Sequence, residues 1–230
     1  MFQNFDFEVI TRSLPYLFLE GMQFTLILTI LATIGGLALG TVLALMRLSS
    51  HRSLSTFAGT YVNLMRSLPL ILVIFWFYFL VPYLGAWLIG SEQPIAVGAF
   101  TSALITFTLF EAAYFSEIMR AGIQSVSRGQ TAAGYAVGLS YTQVMTNVVL
   151  PQALRNMVPL ILTQTIVLFQ DTSLVYVISL TDFLGAASKV AQRDVRLVEM
   201  YIFAALVYFF ISYVASRLVK RLEARTAIIR

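Results

Sequence analysis

Long apolar runs separated by short polar stretches dominate this chain. A helix needs roughly 20 consecutive apolar residues to cross the hydrocarbon core of a bilayer. Four stretches meet that length easily: 17–46, 57–81, 95–115 and 200–219. A fifth, 157–180, is interrupted by Gln164, Gln170 and Asp171 but is still long enough. The pattern predicts an all-α membrane protein with five transmembrane helices, hence with its termini on opposite sides. Residues 1–16 read as an extracytoplasmic or interfacial segment, 17–222 as the membrane domain and 223–230 as a tail. Phe2, Phe5 and Phe7 alternate with polar residues, as suits an interfacial stretch. Tyr83 and Trp87 sit where aromatic rings favour a membrane boundary. Gly36 and Gly40 form a GxxxG pair in the first span, a spacing that permits close helix contact.

Composition agrees with this reading. Hydrophobic residues make up 59% of the 230 and charged residues 11%, with a mean hydropathy of +0.83. A soluble domain carries about 25% charge, so this chain could not cover a water-facing surface. The net charge of +4 is therefore no nucleic-acid footprint. It reports which loops stay in the cytoplasm. With the N-terminus outside, Arg47, Arg52, Arg66, Arg120, Arg128, Arg217, Lys220, Arg221, Arg225 and Arg230 fall inside or at the inner interface. Arg12, Lys189, Arg193 and Arg196 fall outside, and Arg155, where a span begins, is left unassigned. A ten-to-four split predicts an N-terminus outside and a C-terminus inside. The opening MFQNFDFEVI has two acids and no basic stretch, so no cleavable signal peptide is expected.

Chemistry is sparse. There is no cysteine, which excludes disulfides, thiolate nucleophiles and cysteine metal sites. The one histidine, His51, lies in a polar loop, so no metal site is expected. Without a cysteine, or a histidine in a span, the common nucleophile–base pairs are missing. No GxxxxGK[ST] sequence is present, so the chain has no phosphate-cradling loop of its own.

Ionisable groups inside spans are costly and mark function by default. Glu111 and Glu117 fall on the third span, and Glu117 can pair with Arg120 three residues on. Gln170, Asp171, Thr172 and Ser173 fall on the fourth. These six are candidates for a translocation path or gate. The alternative for Glu117 is a structural ion pair, and for Asp171, Thr172 and Ser173 an interhelical hydrogen bond.

The segment from Arg128 to Pro159 is polar enough to leave the membrane yet carries few charges. Gly129–Val137 and Thr142–Val149 can each form a short helix, with Gly138 at the break and Pro151 limiting the second. A compact helix–turn–helix with small and apolar faces suits docking into a groove on another protein; a re-entrant or interfacial segment is the alternative.

These residues carry a resemblance. The sequence GQTAAGYAVGLSYTQVMTNVVLPQ is similar to the coupling loop of ABC-importer permeases, which reads GQxEAAxxLG, nine residues, then IxLP. Gly138, Val148, Leu150 and Pro151 match in spacing. Ala132 stands where the family usually has glutamate, and Gly134 where it usually has alanine. PYLFLEGMQFTLILT, YVNLMRSLPLILVIFWFYF, AAYFSEIMRAGI and LFQDTSLVYVISL resemble the same family's spans, in its polar amino-acid branch. The form LFQDTSLV, with Gln170 where many relatives have lysine, looks most like the glutamate/aspartate permeases.

The resemblance implies a type I ABC importer permease fold in the bacterial cytoplasmic (inner) membrane. It implies that a 128–151 coupling loop, with Gly129, Gln130, Ala132, Ala133, Gly138, Leu139, Ser140, Leu150 and Pro151, docks on a dimeric cytoplasmic ATPase. A second, similar permease subunit and a periplasmic amino-acid-binding protein are the other implied partners. ATP and Mg would be used by the ATPase, with no cofactor in this chain. From the residues alone, two other classes stay open. One is an ion-coupled secondary carrier using Glu111 and Asp171, though such carriers usually show internal repeats and more spans. The other is a non-transporting membrane scaffold, which would not need acids and hydroxyls in successive spans.

Overall fold

A computed structural model of the chain describes residues 5–226; Phe2 and the last four residues of the expected tail lie outside them. The described residues form eight helices and no strand. They are α1 (Phe7–Leu48), α2 (Arg52–Ser67), α3 (Leu70–Ile89), α4 (Ala99–Gln124), α5 (Arg128–Ala136), α6 (Tyr141–Ile178), α7 (Phe183–Arg193) and α8 (Leu197–Thr226). Five of them, α1, α3, α4, α6 and α8, are long and apolar enough to cross a membrane.

α1 is longer than the apolar pattern indicates. Asp6 caps it by accepting from the N–H groups of Glu8 and Val9, and the helix then runs 42 residues without a break. That is roughly 63 Å, about twice the hydrocarbon thickness. The stretch expected to lie apart as an N-terminal segment is therefore continuous with the first span. Its Val9 is buried in one core with Phe183, Ala187, Met200 and Ala204 of α7 and α8.

The expected span at 57–81 is corrected. Leu68, at φ −102° and ψ 141°, is extended because the ring of Pro69 disfavours a helical residue before it. The chain splits there into amphipathic α2, with Ala58 and Val62 buried one turn apart, and apolar α3. The membrane-length helix is Leu70–Ile89. It ends at Gly90, whose φ of 69° suits a residue without a Cβ.

Pro151 does not limit its helix either. α6, 38 residues long from Tyr141 to Ile178, continues through it. A π turn at Met145–Val149 ends two residues before the proline, and another at Trp76–Leu80 ends two residues before Pro82. The wider turn relieves the clash between each ring and the carbonyl four residues back, so the helix can continue.

α4 is the central helix: 56% of its apolar window is buried, against 33% or less in the others. α1 packs along it in the same direction through the GxxxG pair. A Cβ on Gly36 would come within 3.0 Å of the Glu111 Cβ, and one on Gly40 within 2.9 Å of the Phe115 Cβ and 3.0 Å of the Ala112 carbonyl. α4 leads directly into α5, so α5 and the start of α6 project from the end of the bundle where α1 and α4 finish. α7 and the start of α8 close the opposite end.

Candidate functional site

Two regions hold the candidate residues. The first is the α5–α6 hairpin. α5 ends in a Schellman arrangement: Gly138, at φ +85°, donates its N–H to the Tyr135 carbonyl at 3.0 Å, and Leu139 donates to the Gly134 carbonyl at 3.1 Å. Two residues past Gly138 the next helix begins with a capping box. The Ser140 hydroxyl accepts from the Gln143 N–H, and the Gln143 carboxamide accepts from the Ser140 N–H at 2.9 Å. The turn is thus closed by its own backbone. Gly134 is buried against Val144, whose Cγ2 would lie 2.9 Å from a Cβ at that position. That close approach accounts for glycine where the resembled motif has alanine.

Gly129, Gln130, Ala132 and Ala133 lie exposed on α5, and Ser140 is exposed at the turn; Leu139 and Leu150 are half-buried, and Pro151 is exposed on α6. Ala132 therefore presents a methyl to solvent where the motif carries a carboxylate. Val137 is 76% exposed and Tyr141 67%, so an apolar rim surrounds the turn. A bond of 2.7 Å from the Asn156 amide to the Ser125 hydroxyl ties the base of α6 to the end of α4.

The second region lies within the bundle. Glu111 is fully buried on α4, and both of its carboxylate oxygens accept from the Gln164 amide of α6, at 3.1 and 3.3 Å. Glu111 has no partner close in sequence; the fold supplies one 53 residues away. Asp171 lies seven residues beyond Gln164, two turns or about 10 Å farther along α6 on a similar face. The Arg66 guanidinium sits 5.5 Å from the centre of the Tyr114 ring. Tyr114 follows Glu111 by three residues on α4, so the two share one face of that helix. Glu111, Gln164, Tyr114 and Asp171 thus form a polar band along α4 and α6, with the exposed Arg66 at its edge; Arg155 is exposed on α6.

The other path candidates separate from this band. Glu117 accepts from Arg120 on its own helix, as its spacing predicts, and also from Arg47 of α1. It therefore joins the ends of α1 and α4 beside the hairpin. Thr172 is buried, with its hydroxyl donated to the Phe169 carbonyl of its own helix at 2.8 Å. Gln170 is exposed and Ser173 half-buried. Neither Gln164 as a partner of Glu111 nor Tyr114 as a neighbour of Arg66 carries a local sequence signal.

At the opposite end, side chains hold the structure. Asp182 is fully buried, caps α7 by accepting from the N–H groups of Leu184 and Gly185 at 2.9 Å each, and accepts from the Tyr208 hydroxyl. Burial pushes its carboxyl up to about 6 despite these donors. Thr25 of α1 accepts from the Phe183 N–H at 3.0 Å. Asp194 accepts from both Arg193 and Arg12, and these hydrogen bonds, led by Arg193, hold its carboxyl down at about 2. Arg196 pairs with Asp6 and Glu199, which completes the attachment of α1 to α8.

Comparison with known proteins agrees with the geometry. Residues 36–228 match the family described as binding-protein-dependent transport system inner membrane component. The chain is 52% identical over 224 residues to the glutamate/aspartate import permease protein GltK of Escherichia coli, covering 97% of this chain and 99% of that protein. It is 32% identical to the arginine transport system permease protein ArtQ of Bacillus subtilis, over 96% of this chain and 97% of that one. Among solved structures, an amino acid ABC transporter crystallised with histidines matches with a TM-score of 0.85 and 31% identity, over 96% of this chain and 98% of that chain. The MetNI methionine ABC transporter matches at 0.73 and 17% identity over 93% and 97%, a likeness of fold. The type I permease fold and five membrane-length helices accord with these matches. The chain belongs to the family of binding-protein-dependent transport system inner membrane components, as a multi-pass permease subunit of an amino-acid ABC importer.

Proposed function

We propose that this subunit forms half of the path by which an ATP-driven importer carries glutamate and aspartate inward. The observation that carries the reading is the 52% identity, over nearly the full length of both chains, to a glutamate/aspartate import permease. The chain supplies no catalysis and no cofactor site. ATP and Mg are used by a dimeric cytoplasmic ATPase, a second permease completes the path, and a periplasmic binding protein delivers the amino acid. The N-terminus lies outside and the basic, hairpin-bearing end inside, in line with the distribution of lysine and arginine.

The mechanism follows from the hairpin. Gly129, Gln130, Ala132, Ala133 and Gly138 through Ser140 form the docking head, and Leu150 and Pro151 lie where that head becomes the span. Because α6 is one helix from Tyr141 to Ile178, displacement of its first turns by the ATPase carries Gln164 and Asp171 with them. The Glu111–Gln164 bond is a contact that such a shift would strain or break. A dicarboxylic amino acid passing the band would meet acids at Glu111 and Asp171 with its ammonium group, and Arg66 with a carboxylate. Glu117, pinned by Arg47 and Arg120, serves as a strut between α1 and α4. Gln170, Thr172 and Ser173 support the far end of the path, Thr172 through its buried backbone bond.

Reconstitution tests this. Uptake of glutamate or aspartate into proteoliposomes should require ATP, the ATPase and the binding protein. Uptake by this chain alone on a proton or sodium gradient would contradict the reading and favour the secondary carrier.

A further inference from the structure

Lys189, on α7, differs from the other cations at its end of the bundle. Arg12, Arg193 and Arg196 each pair with a carboxylate. Among the described residues no carboxylate lies within ion-pair distance of Lys189, whose ammonium donates to the Thr181 hydroxyl. An ammonium has three donors, so two remain. Lys189 lines a groove of about 440 Å³ between α7 and the last turns of α6, together with Tyr176, Ser179, Gly185, Ser188 and Gln192. That volume suits a small polar solute.

The groove's chemistry is one-sided. Its lining offers an ammonium, hydroxyls and a carboxamide, and no carboxylate. Ser188 is buried within hydrogen-bonding distance of the Tyr201 hydroxyl at 3.2 Å and accepts from the Gln192 amide at 3.1 Å, so Gln192 is held in place. Ser179 adopts φ 64°, a left-handed conformation that costs a residue with a Cβ. Backbone strain of that kind concentrates at functional sites.

The geometry points to this groove as an outer anion-binding subsite, in which Lys189 receives a carboxylate of the incoming dicarboxylic amino acid before it reaches the polar band. The proposal rests on the reading above for its substrate class and for the side of the membrane the groove faces. It divides the work by charge: a carboxylate-free, cationic site meets the anion first, and the acids at Glu111 and Asp171 lie deeper.

The test compares wild type with Lys189→Met and Lys189→Arg in the full importer, in proteoliposomes with saturating binding protein. Glutamate uptake and binding-protein-stimulated ATP hydrolysis are read in parallel. Loss of one charge-assisted contact should lower uptake about tenfold in Lys189→Met. Stimulated hydrolysis should stay within about twofold, and Lys189→Arg should recover most of the uptake. The subsite is overturned if Lys189→Met transports like wild type or if Lys189→Arg is as impaired as Lys189→Met. A parallel fall in uptake and stimulated hydrolysis also overturns it, because it would place Lys189 in binding-protein docking. Absence of ATP-driven acidic amino-acid uptake by the wild-type importer would instead remove the proposed function itself.

Discussion

The hairpin at 128–151 and the cap formed by α7 with the starts of α1 and α8 close opposite ends of one bundle, and different forces hold them. The hairpin closes mainly on its own backbone, through Gly138 and the Ser140–Gln143 capping box, and its apolar rim at Val137 and Tyr141 is uncovered. The cap is stitched by side chains from three helices, with Asp182 and Phe183 fully buried and ion pairs around them. A self-closed turn keeps its shape when it is displaced. A stitched cap keeps its place relative to its neighbours. The difference suits a moving head at one end and a fixed frame at the other.

The sharpest way to break this contrast is Gly138→Val. No atom crowds the position, so the damage comes from φ +85° alone, at a cost of about 1–2 kcal/mol or more for a β-branched residue. Transport per ATP hydrolysed should fall about tenfold or more, while membrane insertion and the amount of folded protein stay normal. Unchanged coupling would mean the turn is not the head. Next comes Asp182→Ala, which removes the α7 cap at a cost of about 0.5–2 kcal/mol. Here Tm should drop in a thermal melt of the purified importer while transport per ATP is preserved. The smallest effect is acid loosening of the clamp on α1. Asp194 is held at about 2 against an ordinary 3.8, so its stabilising contribution is fully present above about pH 4 and lost as pH falls through 2. The difference in Tm between wild type and Asp194→Asn should therefore shrink as pH is lowered from 5 to 2. A difference that does not change with pH would show that the ion pairs contribute nothing.

Much of this architecture was legible because hydropathy and loop chemistry are local signals. Five apolar runs yield five membrane-length helices, and Gly138 marks the turn where its spacing placed it. Helix boundaries depart from the hydropathy pattern at prolines, for opposite reasons. Pro69 breaks a run that hydropathy alone joins, whereas Pro151 fails to break one because a π turn precedes it. The polar band was only half legible: Glu111 and Asp171 stand out as acids in apolar runs. Gln164 becomes the partner of Glu111 only when α4 and α6 lie side by side, and the Arg66–Tyr114 contact likewise depends on packing. The three-helix cap left no sequence signature, because Asp182, Tyr208 and Thr25 meet only in the fold.

Side of the membrane and contact with the motor can be tested together, since the chain has no cysteine of its own. Val137→Cys marks the hairpin and Val195→Cys the opposite end, at positions 76% and 83% exposed. In intact cells a membrane-impermeant maleimide should label Val195→Cys and leave Val137→Cys unlabelled until the membrane is opened. In the assembled importer Val137→Cys, and not Val195→Cys, should crosslink to the ATPase. The reverse labelling, or an ATPase crosslink from Val195→Cys alone, would contradict the account.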